Sequence, residues 1–286
     1  MAKVYEALRR AEEERKRKIA GDVAPVPAVE WDPTPESAPK PRKSLRSLLQ
    51  RKLGGEQRSS APAGGAGAAD ANRRRIALLE PESFIAEQFR MLRSRIDSLA
   101  TESTLRTIAV TSANAGEGKS NVAINLAVVT AMSVAQRILL VDCDMRRPMI
   151  HRSLGIEPQL GLAEVLTGRC SAEEAIVKVE GTTLDVIGVR LQPPNPSELL
   201  GSREMRDLVE ELCGRYDRII LDTPATLGLP DSKIVAGLCD AYLMVVRAGE
   251  TPREEVEAAL EVLDRRRALG LVLNGADTGH ERYAYY

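Results

Sequence analysis

The sequence predicts an α/β fold: a mostly parallel sheet with helices on both faces, preceded by a largely disordered N-terminal arm. Three observations predict it. Uninterrupted runs of Val, Ile and Leu, such as those in 137–142 and 218–222, suit strands buried on both faces. Segments with helical apolar spacing separate these runs, and strand–helix alternation with right-handed crossovers gives a parallel sheet. The first strand runs into a loop containing Gly116 and Gly118 and then into a helix. In open α/β sheets the ligand lies at the carboxyl ends of the strands, where such loops sit.

Taken in order, the chain opens with Val4, Leu8 and Ala11 at helical spacing, followed by the charged stretch 12–18. Residues 1–20 therefore read as a short amphipathic helix. Residues 21–80 are rich in Pro, Gly, Ala and Ser and bury too little apolar area to offset their ordering entropy, so they read as disordered linker. Within that linker, 41–53 sets Leu45, Leu48, Leu49 and Leu53 on one helical face amid Arg42, Lys43, Arg46, Arg51 and Lys52. This segment is either a basic amphipathic helix, able to lie on an anionic membrane or dock a partner, or charged linker with chance leucines. The folded domain is expected over 81–278, with 279–286 as a tail. A helix over 82–99 carries Phe84, Phe89, Leu92 and Ile96 at core spacing, with Glu87, Arg90 and Arg93 three apart on one side. Strands are then expected at 106–111, 137–142, 184–188, 218–222, 242–247 and 270–274. Helices are expected at 119–135, 162–167, 172–179, 203–216, 231–238 and 252–269.

The loop after the first strand carries the chemistry. Asn114-Ala115-Gly116-Glu117-Gly118-Lys119-Ser120-Asn121 has the layout of a phosphate cradle, a P-loop. Its backbone N–H groups and the helix N-terminus point at phosphate oxygens, Lys119 adds a cation, and the Ser120 hydroxyl suits Mg²⁺. Ala113 stands where the general pattern has its first glycine. Two further strands end in carboxylates, Asp142 with Asp144, and Asp222. The topology brings all three towards Lys119. Mg²⁺ takes hard oxygen ligands and keeps waters, so one or two carboxylates suffice. Asp142 and Asp222 are the expected metal-site residues, acting directly or through water, and Asp144 the expected base for a substrate hydroxyl. Each aspartate taken alone also fits a strand-end cap.

Composition narrows the classes. Residues 1–80 carry 17 Lys+Arg against 11 Asp+Glu, and the remainder 23 against 30. The arm is basic, but no nucleic-acid-binding motif accompanies the charge. Cys143, Cys170, Cys213 and Cys239 have no metal-site spacing and read as reduced fillers. No apolar run is long enough to span a bilayer, and no signal-peptide pattern opens the chain, so a cytoplasmic protein is expected.

Val141-Asp-Cys-Asp-Met-Arg-Arg-Pro148 resembles the variant Walker motif of the bacterial tyrosine autokinases, the BY-kinases of the CpsD/CapB group. Glu87-x-x-Arg90-x-x-Arg93 is similar to their oligomerisation motif. The segments 161–168, 193–200 and 245–251 fall in the family's order, Tyr283-Ala-Tyr-Tyr286 resembles its tyrosine cluster, and the opening 2–12 looks like the start of kinases encoded with exopolysaccharide systems. The resemblance spans 81–286 plus that opening patch. Three departures stand out: Ala115 where Pro is frequent, Ala225 after Asp222-Thr-Pro, and a tail of three tyrosines, few for the family.

The resemblance implies an ATP- and Mg²⁺-dependent protein-tyrosine autokinase. Tyr283, Tyr285 and Tyr286 would be phosphoacceptors in a neighbouring subunit's site, Asn274 would meet the adenine, and Glu87, Arg90 and Arg93 would join subunits into a homo-oligomeric ring. It further implies control of exopolysaccharide or capsule polymerisation and export. A membrane-embedded activator of the polysaccharide co-polymerase type would recruit the kinase to the inner face of the membrane, aided by the basic arm. Two rivals share the fold. A MinD/ParA-like positioning ATPase places a lysine early in the loop, where this chain has Asn114. A non-catalytic, nucleotide-binding subunit of a polysaccharide export complex is not distinguished by sequence.

Overall fold

The computed structural model describes residues 75–100, 105–133 and 136–276. The expected N-terminal helix, most of the linker, the segment 41–53 and the tail tyrosines lie outside these residues. The described chain begins with α1 (Ile76–Leu79) and α2 (Phe84–Ala100), then β1 (Thr107–Ser112), α3 (Lys119–Ala131) and β2 (Ile138–Asp142). Three short helices come next, α4 (Ile150–Leu154), α5 (Leu162–Leu166) and α6 (Ala172–Ala175), then β3 (Ile176–Lys178) and β4 (Leu184–Ile187). The rest comprises α7 (Pro196–Leu200), α8 (Arg203–Cys213), β5 (Arg218–Asp222), α9 (Asp231–Leu238), β6 (Ala241–Arg247), α10 (Arg253–Val262) and β7 (Ala268–Asn274).

The strands form one sheet in the order β3-β4-β2-β5-β1-β6-β7, all parallel except β3. β1, β2 and β5 are buried at every residue, as their unbroken apolar runs require. Alternate residues feed two cores. Ile108, Val110, Leu140 and Ile220 pack with α3 and with Ala86 and Ile96 of α2. Ala109, Leu139, Leu221 and Met244 pack on the other face with Met205 and Leu212 of α8, Val235 of α9 and Ala259 of α10. Each fully buried aliphatic side chain stabilises this arrangement by on the order of 1.5–3 kcal/mol. α3 is buried from Val122 to Ala131, with no polar face, because it lies between the sheet and α1–α2.

Five expectations need correction. The packed region starts before residue 81: α1 sits within the stretch read as linker, its Ala77 is buried, and the Ala77 N–H donates to Asn125 Oδ1 at 2.9 Å. The helix expected over 172–179 stops at Ala175. Ser171 caps that single turn by accepting the Glu174 N–H, and β-branched Ile176 and Val177 pair antiparallel with β4 instead. The helix expected over 252–269 ends at Val262, a 3₁₀ turn (Arg265–Arg267) capped by the Asp264 side chain comes after it, and β7 begins at Ala268. The helices expected to reach 135 and 216 end at Ala131 and Cys213. No helix among the described residues is long and apolar enough to cross a membrane.

Candidate active site

The carboxyl ends of β1, β2 and β5 meet at one place because these strands are neighbours, with Asp142 in register with Asp222. The loop between β1 and α3 crosses above them. Its tip, Ala115 and Gly116, is exposed, and its base is tied down from several sides. Ser112 Oγ donates to the Asn114 carbonyl at 2.7 Å. The buried Glu117 carboxylate accepts the Asn114 N–H at 3.0 Å and the Thr251 hydroxyl. Asn114 Nδ2 donates to Glu255 of α10. Asn274, the last residue of β7, donates from Nδ2 to the Glu117 carbonyl at 2.8 Å. Its side chain lies so close that a Cβ on Gly118 would sit 2.0 Å from Nδ2. Gly118 also has φ +94°, so this position demands glycine twice over.

Lys119 opens α3 and turns its ammonium towards the acids. Nζ lies 3.0 Å from Asp144 Oδ2 and 3.5 Å from Ser120 Oγ. Burial alone would lower the lysine's pKa, but Asp222, Asp144 and Asp142 together raise it, so Lys119 is a fixed cation. The three aspartates then divide. Asp142 is saturated with backbone donors: Oδ1 accepts the Asp144 N–H, and Oδ2 accepts the N–H groups of Met149 and Ile150, each at 3.1 Å. It shapes the loop that carries Asp144. Burial and Asp222 push its carboxyl up, while the Ile150 and Asp144 N–H groups pull it down. Asp144 Oδ1 accepts the Arg147 N–H at 3.0 Å, leaving Oδ2 to Lys119.

Asp222 differs from both. It is fully buried, and neither of its oxygens has a protein partner of normal hydrogen-bond geometry. Burial pushes its carboxyl up to about 6 against the pull of the Lys119 ammonium and the neighbouring Ser120 hydroxyl. An unsatisfied buried carboxylate costs free energy unless a cation or a donor completes it. No cluster of three His, Cys, Asp or Glu among the described residues forms a preformed metal cage. A cation here would be held by few protein oxygens, which is the Mg²⁺ pattern.

One clasp escaped the sequence reading. Arg146, next to the acidic loop, donates from Nε to Asp231 Oδ2 at 2.7 Å and from Nη2 to Ser197 Oγ at 2.9 Å, while its carbonyl accepts Gln192 Nε2 at 2.9 Å. Asp231 is buried, so this pair ties the loop after β2 to α7 and α9. Arg146 falls within the Met-Arg-Arg-Pro segment, but sequence gives no sign of its distant partners. The Glu117–Thr251 brace was equally hidden. Asn274, the expected adenine contact, also props the loop through its bond to the Glu117 carbonyl.

Glu87, Arg90 and Arg93 lie on α2, outside this site. Arg90 Nη1 donates to Glu87 Oε2 at 2.6 Å on the surface. Arg93 diverges: it donates from Nη1 to the Val129 carbonyl at 2.8 Å, near the end of α3. Tyr283, Tyr285 and Tyr286 fall outside the described residues.

Comparison with known proteins agrees with this geometry. A family described as an AAA domain matches residues 105–265. The tyrosine-protein kinase YwqD of Bacillus subtilis is 37% identical over 214 residues, covering 74% of this chain and 90% of that protein. Several other relatives are matched over only 27–30% of their own length. Among solved structures, the kinase domain of the Escherichia coli tyrosine kinase ETK is 30% identical with a TM-score of 0.67, covering 77% of this chain and 82% of that one. The chimerical protein CapA2B2 is 33% identical with a TM-score of 0.66, covering 70% and 88%. A nucleotide-binding P-loop fold, a lysine gripped by strand-end aspartates and this level of identity lead to one conclusion: the chain belongs to the bacterial tyrosine-protein kinases.

Proposed function

We propose that this kinase transfers the γ-phosphoryl group of ATP to tyrosines 283, 285 and 286 of a neighbouring subunit's tail. The supporting observation is the convergence of Lys119, Asp144 and the unpartnered Asp222 beneath a braced P-loop. ATP would supply the phosphoryl group, and Mg²⁺ when bound would neutralise charge developing on it. Ser120 and Asp222 would hold the cation, with Asp142 behind them. The loop N–H groups from Asn114 to Asn121 and the Lys119 ammonium take the phosphate oxygens. Drawn onto phosphate, Lys119 leaves Asp144 Oδ2 open to accept the phenol proton. A bond forms between the phenol oxygen and phosphorus, the bond to the leaving oxygen breaks, and ADP departs. A free phenol has a pKa near 10, so a positioned carboxylate is useful at neutral pH.

β7 ends beside the P-loop, and the tail follows it within a few residues of sequence. Entry into a neighbour's site is simpler than return into its own, which favours a ring built through Glu87, Arg90 and Arg93. A membrane-embedded activator and control of exopolysaccharide polymerisation and export complete the proposal, with the basic arm aiding recruitment to the membrane. The direct test is purified protein with ATP and Mg²⁺, with and without an activator fragment, probed for phosphotyrosine. Signal lost in Lys119→Met and in the triple Tyr→Phe tail supports the reading. ATP turnover without phosphotyrosine contradicts it.

A further inference from the structure

β7 is an edge strand among the described residues: it pairs with β6 on one side only. An edge presents unpaired N–H and C=O groups and is normally blunted or covered. This one is neither polar nor proline-guarded. Leu271 and Leu273 are 53% and 64% exposed. Their partners in β6 are Met244 and Val246, so both leucines belong to the sheet face covered by α10, beyond its reach. At the end of β7 the backbone enters a left-handed turn, with Gly275 at φ +70°.

The residues after Gly275 suit a return strand. A reversal between Gly275 and Gly279 would take five residues, a common hairpin length. A chain reversing there runs antiparallel along β7, with 274 opposite 280. Tyr283 would then fall opposite Leu271, Glu281 opposite Leu273, and Ala284 opposite Gly270. Tyr283 and Tyr285, two apart, would share the face of the exposed leucines. Aromatic side chains beside aliphatic ones are favourable cross-strand neighbours.

We propose that the unphosphorylated tail exchanges between a neighbouring subunit's site and a docked form, in which it folds back in cis onto β7 as an additional antiparallel strand and buries Tyr283 against Leu271. The occupant is this chain's own segment 280–286. It is tethered a few residues from the edge, and its Tyr alternation matches the register. Phosphorylation of the undocked tail then disfavours its return. A phosphate of about −1.5 to −2 charge at Tyr283 would stand beside Glu281 and on the face of α10, whose Glu254, Glu257 and Glu261 are exposed. The phosphorylation step rests on the kinase reading; the docking does not.

The test is hydrogen exchange on the full chain, free of ATP and treated with a tyrosine phosphatase. Amides of 281–285 and the outward amides of β7 should exchange at least tenfold more slowly than in Leu271→Ser/Leu273→Ser, at every protein concentration. Protection in β1 reports that the variant is folded. Tyr283→Ser/Tyr285→Ser, which alters no described residue, should lose the same protection. Tail amides exchanging at the rate of an unstructured peptide in the unsubstituted chain overturn the proposal. So does protection that fades on dilution, which would mean that a second copy covers the edge. No catalysis is needed for this comparison, so a failure to autophosphorylate leaves its result standing.

Discussion

The Lys119 ammonium lies 3.0 Å from Asp144 Oδ2, a direct ion pair at the start of α3. Under the proposed function the pair would link nucleotide binding to proton transfer, since whatever draws the lysine away frees the carboxylate. It also explains why both residues tolerate burial, since each neutralises the other.

Replacing Asp144 should therefore separate binding from chemistry. In Asp144→Asn the loop is kept, because the amide oxygen still accepts the Arg147 N–H, but the proton acceptor is lost. We expect kcat for phosphotyrosine formation to fall by about 10²–10⁴, with ATP affinity little changed or improved. Lys119→Met should weaken ATP binding as well. Calorimetry beside a phosphotyrosine blot distinguishes the two.

Asp222 is predicted to trade stability for function. Its folded pKa of about 6 lies above the ordinary 3.8, so the native state holds this proton more tightly than the unfolded chain does. The resulting destabilisation is absent below about pH 4, grows between there and pH 6, and is complete above pH 6. Asp222→Asn should raise nucleotide-free stability at pH 7 by about 1–3 kcal/mol, with no gain near pH 4. The same variant should lose Mg²⁺-dependent nucleotide binding. Denaturant titrations at the two pH values, together with thermal shift in Mg²⁺ and ADP, check both halves.

Gly118 and Asn274 should couple. Gly118→Ala forces a Cβ to within 2.0 Å of Asn274 Nδ2 at a left-handed backbone position. A cost of about 1–3 kcal/mol and weakened nucleotide binding are expected. Adding Asn274→Ala removes the clash but not the backbone strain. A double-mutant cycle should thus return a favourable interaction term of about 0.5–2 kcal/mol; additivity would show that the two residues do not touch.

Arg146→Ala strands the buried Asp231 and unties the loop that carries Asp144. We expect a loss of about 1–3 kcal/mol, below the range for wholly buried pairs because Arg146 is partly exposed, and a fall in kcat exceeding any change in ATP affinity.

Phosphorylation of all three tail tyrosines adds roughly −5 per subunit. Gathered in a ring, that charge repels, so the phosphorylated protein should sediment as smaller species than the dephosphorylated form. Equal sedimentation would count against the ring.

Much of this was legible in the residues. Strands buried on both faces leave unbroken apolar runs, which is why β1, β2 and β5 were found within a residue of their ends. The P-loop and the strand-end aspartates are local in sequence, so spacing alone brings them together. β3 was missed because Ile176 and Val177 come after a capped helical turn and become a strand only by pairing with β4. The division of labour among the aspartates was also invisible. Three backbone donors fill Asp142 and none reaches Asp222, a difference created by how the loop after β2 folds. Arg146–Asp231 and Glu117–Thr251 join residues far apart in sequence, and no pattern of spacing reports them.

The central claim is transfer between subunits from this P-loop to the tail. Its most direct test mixes two inactive chains with ATP and Mg²⁺: Lys119→Met, which keeps its tyrosines, and the Tyr283/Tyr285/Tyr286→Phe chain, which keeps its site. Mass spectrometry should find phosphate on the tail of the Lys119→Met chain, and only in the mixture. A mixture that consumes ATP yet leaves those tyrosines unmodified would contradict the account.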